Sequence, residues 1–139
     1  MLTDFFVADE ADAARVVAAE PPAKEWGAWF AKDLDEIKLT HLWAAIGSSP
    51  TVPLPAMRLL YSHSDDGPWV CAVPQPLVVR LAELEGAALQ SVGAVWAAAE
   101  EFALDRWKTA DVLEALSELH AACRQAQAAG KTLLLRIGL

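Results

Sequence analysis

Side chains that could ligate a metal or move a proton gather most closely at His63, Asp65 and Asp66, with His41 and Cys71 in the neighbouring segments. A His-x-Asp-Asp loop can bind a cation through imidazole and carboxylate, and His41 would add a ligand if its helix packed beneath the loop. That set would make a small metal-dependent hydrolase. The same run, Ser62-His63-Ser64-Asp65-Asp66-Gly67, is also a composition that satisfies a turn's backbone locally, and a solvated turn is the preferred expectation. A Cys71–His63 nucleophilic pair is weaker still. Cys71 lies among Val70, Ala72 and Val73, where burial keeps a thiol protonated. His41 and His120 sit on helical stretches with apolar neighbours and read as boundary residues with one ring nitrogen hydrogen-bonded. The glycines are scattered, with no Gly-x-Gly turn after a strand and no Gly-Lys-Ser/Thr, so a P-loop or Rossmann nucleotide site is excluded.

Aromatic and acidic residues point to contact rather than chemistry. The chain carries six tryptophans: Trp26, Trp29, Trp43, Trp69, Trp96 and Trp107. Trp43 and Trp96 fall on apolar helical stripes and read as core. Trp26 and Trp29 lie either side of Gly27 beside Phe30, forming either a lid over the helices or an exposed binding surface. Trp107, between Arg106 and Lys108, reads as a helix-end anchor that could join a partner surface. Asp105, Asp111, Glu114 and Glu118 run along and beyond the last long helix, and the net charge is −8. That balance argues against nucleic acid and anionic membrane surfaces, both of which need clustered Lys and Arg. It suits a basic protein partner, because complementary charge speeds encounter and selects partners. The expectation is a non-catalytic protein acting through protein contacts, an inhibitor or immunity-like partner of a basic protein, with no cofactor. The alternatives are the metal-dependent hydrolase on His41, His63, Asp65 and Asp66, or a small-molecule pocket lined by tryptophan.

The elements positioning these residues follow from length and periodicity. At 139 residues the chain is one domain, 1–139. Two cysteines without a paired motif imply a reducing cytoplasm, and the acidic, base-free start is not a secretion signal. No window has the uncharged apolar length of a membrane span. Apolar runs at residues 2–7, 69–73 and 132–137 read as strands, and the run at 57–61 as strand or turn. Helices are expected over 8–20 with Asp9 as N-cap, after an Asp33/Glu36 capping box with Ile37, Leu39, Leu42, Trp43 and Ile46 inward, and from Pro76 with Leu77, Val78, Leu81 and Leu84 inward. Gly86 bends or ends the last of these. Another helix carries Leu89, Val92, Trp96, Ala99 and Ala103 on one face, with Glu100, Glu101 and Asp105 facing water. A final one, capped by Thr109, buries Val112, Leu113, Leu116, Leu119, His120 and Cys123 and stops at Gly130 in a left-handed C-cap. Arg136 is placed near an exposed strand end. The fold class is α+β: helix-rich, with a small sheet of N-terminal, central and C-terminal strands.

Several of these segments resemble the YfbM-like bacterial domain family of unknown function. The helix Leu34-Asp35-Glu36-Ile37-Lys38 through Trp43 to Gly47 is similar to that family's Leu-Asp helix ending in glycine. The run Gly67-Pro68-Trp69-Val70, leading through Pro74 and Pro76 to Val78 and Leu81, resembles its Gly-Pro turn, strand and helix. About two thirds of the chain is covered, including the paired helices and closing strand. The resemblance implies an α+β domain with a small sheet, and no functional residues.

Overall fold

The computed structural model describes residues 2–20, 26–27, 29–47 and 53–138. Its spine is the pairing of β1 (Leu2–Ala8) with β5 (Thr132–Gly138), antiparallel in continuous register from Leu2↔Gly138 to Ala8↔Thr132. Terminal strands whose backbone groups would otherwise lie buried and unpaired satisfy one another here. On the far side of β5 lies β4 (Trp69–Ala72), which pairs in turn with β3 (Arg58–Ser62). The run at 57–61, open between strand and turn, is therefore an edge strand. At the opposite edge β2 (Trp29–Lys32), which the sequence expectation lacked, pairs with β1. The sheet order is β2-β1-β5-β4-β3, every neighbour antiparallel. With its helices this makes an α+β fold, as the patterning predicts.

Period-two alternation sends adjacent strand residues to opposite faces. Phe5, Val7, Leu133 and Leu135 face the main helical layer, whereas Phe6, Ala8 and Leu134 face the other side. The main layer holds α2 (Glu36–Ile46), α3 (Gln75–Glu83), α4 (Gly86–Ala97), α5 (Glu100–Leu104) and α6 (Thr109–Ala129). Helix α6 buries Val112, Leu116, Leu119, Cys123 and Ala126 at helical spacing and ends at Gly130 with φ 65° and ψ 32°, the left-handed cap expected there. Leu113 is exposed instead, and its Cδ2 would meet a Cβ placed on Gly93, where α4 and α6 approach closely.

Other expectations are corrected. The helix over 8–20 is a 3₁₀ turn, Glu10–Asp12, and one α-turn, α1 (Ala13–Val16), with no side-chain cap bond from Asp9. The N-cap of α2 is Asp35, whose carboxylate accepts the Lys38 N–H at 3.0 Å; Asp33 has φ 62° and stands outside the helix. Gly86 opens α4 rather than ending α3. The N-cap of α6 is Lys108, whose N–H donates to Asp111 at 2.9 Å, not Thr109. The long helix expected through Ala103 breaks at Ala99, which is extended with ψ 134°. In a continuous helix at about 100° per residue, Phe102 would point well away from Trp96. The break lets both enter the core, edge to face at 5.1 Å, and leaves Ala103 exposed.

Arg136 is buried at 9% exposure rather than placed at an exposed end. It lies opposite Asp4 in the β1–β5 register and donates to Asp4 Oδ2 from Nε at 3.0 Å and a terminal nitrogen at 2.8 Å. Its remaining nitrogen donates to the carbonyls of Val16, Val17 and Ala19 at 3.0, 3.3 and 2.5 Å. One guanidinium thus neutralises a buried carboxylate and closes the C-terminal end of α1, where a cation is favoured. Among the described residues no helix is long and apolar enough to cross a membrane.

Candidate functional site

The structure does not bring the four proposed metal ligands together. His41 lies on α2 in the helical layer, its Nε2 3.0 Å from Glu101 Oε2 on α5. His63, Asp65 and Asp66 are exposed on the β3–β4 connection. That connection closes on itself: the His63 N–H donates to Pro68 O at 3.1 Å, the Gly67 N–H to Ser64 O at 3.0 Å, and Ser64 Oγ to Gly67 O at 2.9 Å. Ser64 and Gly67 serve the turn's own backbone, and His63, Asp65 and Asp66 stand exposed on it. Among the described residues no group of three or more His, Cys, Asp or Glu is placed to hold a metal ion. His120 Nε2 sits 2.7 Å from Leu84 O, and because a carbonyl only accepts, this nitrogen carries the proton. Burial, and next the charge of Glu36, raises the half-buried Cys71 thiol; burial pushes Cys123 up to about 12. Both thiols are therefore protonated at neutral pH and are poor nucleophiles.

The tryptophans divide differently from the expected Trp26–Trp29 pair. Phe5 and Phe6 are adjacent on β1 and so face opposite ways; Trp29 packs on Phe5 at 5.0 Å, Trp26 edge-on to Phe6 at 6.3 Å. The two indoles consequently lie on opposite faces of the sheet and share no surface. Trp26 is half-buried beneath the Arg15 guanidinium, 5.2 Å from its ring. Trp29 joins Trp107 instead. Both line a cleft of about 400 Å³ where the β2 edge meets the α5–α6 corner, together with Ala31, Asp33, Asp105, Arg106, Asp111, Glu114, Ala115 and Glu118.

Each wall has a local cause. Trp29 is fixed by its β2 pairing opposite Phe5, and the Thr3 hydroxyl anchors the same strand by donating to Ala31 O at 2.6 Å. Arg106 at φ 62° reverses the chain after α5, and the Trp107 N–H then donates to Phe102 O at 2.8 Å, which pins the indole against the Phe102 ring at 5.1 Å. Beneath them lies Lys38, 1% exposed. Its ammonium is ion-paired with Asp105, stands 3.7 Å from Asp35, and is 6.0 Å from the ring centres of both Phe102 and Trp107. The Lys38 carbonyl accepts the Trp96 indole N–H at 2.8 Å, so core and cleft floor are joined. Nothing in the sequence expectation singled out Lys38. The available signal was its i±4 spacing from Leu34 and Leu42, both fully buried, while Ile37, expected inward, is 57% exposed.

The lining holds five carboxylates, Asp33, Asp105, Asp111, Glu114 and Glu118, against Arg106. Asp105 is bound to Lys38 and Asp111 to the Lys108 N–H. Glu114 and Glu118 stand one turn apart on α6, and Glu118 Oε2 is buried with no hydrogen-bond partner among the described residues. Burial, and next the charge of Glu114, raises the Glu118 carboxyl above the ordinary carboxylate value. Positive charge arriving here would meet aromatic faces and the neighbouring carboxylates of Glu114 and Glu118. No family model, curated protein or solved structure matches the chain.

Proposed function

We propose that the protein is a non-catalytic binding module that engages a basic protein partner through the Trp29–Trp107 cleft, in the manner of an inhibitor or immunity protein. The observation that carries this reading is the lining itself: two tryptophans and five carboxylates against one arginine. Buried tryptophan supplies much of the binding energy at protein interfaces, and a single-sign field raises encounter rates with an oppositely charged partner. The net charge of −8 extends that field beyond the cleft. Free Cys71 and Cys123 support a reducing, cytoplasmic setting. At about 400 Å³ the cleft is also in the size range of small-molecule sites, so a small cationic ligand is the second reading.

The test is a titration of the full chain with a short basic peptide and an acidic peptide of equal length, followed by tryptophan fluorescence and calorimetry. Saturable binding of the basic peptide, weakened by salt and by the Glu114→Gln/Glu118→Gln double variant, is the expected result. No saturable binding at low ionic strength overturns the reading. Equal affinity for the peptide and for spermidine would favour the small-molecule reading.

A further inference from the structure

We infer that the basic partner binds as an added strand: a segment extended along the free edge of β2, with alternate side chains pointing into the cleft. This rests on the proposed cleft-binding reading and deepens it, because it names the backbone conformation that fits.

The sheet order leaves β2 at one edge, paired with β1 alone among the described residues. The Ala31 carbonyl is turned toward β1, where it accepts the Thr3 hydroxyl at 2.6 Å. Inward and outward backbone groups alternate along an antiparallel strand, so the N–H and C=O groups of Phe30 and Lys32 point away from the sheet. Such a row is a template for another strand. Its register with β1 runs unbroken from Leu2↔Lys32 to Phe5↔Trp29, so the row is regular. The opposite edge is not: β3 shifts register between Leu59 and Tyr61, and an irregularity of that kind interrupts pairing.

Charge selects the occupant. Residues of an added strand that pair with Trp29 and Ala31 point to the same face as these two, the face that carries α6. There they meet the exposed carboxylates of Asp111 and Glu114, with Asp33 just past the end of β2. A basic residue at alternate positions lays its apolar stem along the cleft wall and brings its charge to those carboxylates. A second copy of this chain fits poorly. Pairing two β2 edges would bring two acidic clefts together in a chain of net charge −8.

The experiment titrates the full chain with a short peptide of alternating lysine and threonine, and with the same peptide N-methylated at every backbone amide. Methylation keeps the charge and removes the ladder donors. The methylated peptide is expected to bind about tenfold more weakly, the scale of one or two lost backbone hydrogen bonds. Hydrogen exchange read by NMR should slow at the Phe30 and Lys32 amides when the unmodified peptide binds. Equal affinity for the two peptides, or exchange at these amides unaltered by binding, overturns strand addition while leaving the basic-partner reading standing. Protection of the same amides that rises with chain concentration in the absence of peptide gives the edge to a second copy and also overturns the proposal. Binding of neither peptide overturns both.

Discussion

Replacing either member of the Lys38–Asp105 pair removes the same contact but leaves very different remainders. The Lys38 side chain is 1% exposed and the Asp105 side chain 42%. In Lys38→Met the thioether chain keeps most of the apolar stem's volume, and Asp105 and Asp35 return to water. Removing the buried charge while filling its place is close to neutral, so the expected loss is within about 1 kcal/mol. In Asp105→Ala the ammonium stays buried with Asp35 at 3.7 Å and two ring faces for company. With Asp35 as its one remaining carboxylate, the buried ammonium is only partly compensated, for an expected loss of about 2 kcal/mol, which for a domain of this size lowers the midpoint of thermal unfolding by about 7 °C. The double variant Lys38→Met/Asp105→Ala should then be more stable than Asp105→Ala alone, because the under-compensated charge is gone. Urea unfolding followed by tryptophan fluorescence measures all three, provided the m-value is unchanged. A Lys38→Met loss equal to that of Asp105→Ala would refute the reasoning.

Two further outcomes follow from charges in other settings. Glu118 is raised in the folded state, so its protonation supports stability that is fully present below the ordinary carboxylate value and is lost as pH rises through the raised one. Glu118→Gln should therefore stabilise the protein at about pH 7 by about 0.5 kcal/mol, the scale of a screened like-charge i,i+4 pair, and should give no gain at about pH 3; paired urea midpoints decide it, and a loss at neutral pH refutes it. Arg136→Met leaves Asp4 buried without its cation and uncaps α1, for an expected loss of about 3–4 kcal/mol, with partial recovery in Asp4→Leu/Arg136→Met. A single-variant loss below about 1 kcal/mol in chemical denaturation would contradict that account.

What the sequence made legible was local. Residues 2–7, 69–73 and 132–137 have a type set largely by composition, and each holds a strand of the sheet, with Val73 falling just past the end of β4. The stripe of α6 and its stop at Gly130 depend on 3.6-residue spacing and on a left-handed cap that glycine adopts without strain. Errors arose where a distant residue decided the outcome. Ala97, Ala98 and Ala99 favour helix, yet the chain breaks there because Trp96 and Phe102 must both reach the core. β2 carries little pattern of its own in four residues and is a strand because the edge of β1 needs a partner. Arg136 and Lys38 are charged residues on inward faces, and composition assigns such residues to water unless their counter-ions are known. Those counter-ions, Asp4 and Asp105, come from the opposite end of the chain and from the turn that follows α5.

The cleft was hidden for the same reason, and more completely. Trp26 and Trp29 drew attention as neighbours in sequence, but period-two alternation on the underlying strand sends their packing partners Phe6 and Phe5 to opposite faces. Trp29 acquires Trp107 as its neighbour across the cleft only when β2 is an edge strand and Arg106, in a left-handed conformation, turns Trp107 back onto Phe102. The acidic run on α6 is visible in the sequence as a surface suited to a basic partner, but nothing there ties it to Trp29 or shows that Asp111 caps its own helix. Glu118 is different because one of its oxygens is buried without a donor, and that is a property of packing alone. The lining falls into two stretches, 29–33 and 105–118, and no motif joins them, because only the fold brings the strand edge to the reversed turn and the helix face. Its chemistry becomes visible once the pairing of β1 with β2 and the break after α4 are known, and those are the two features that local patterning could not supply.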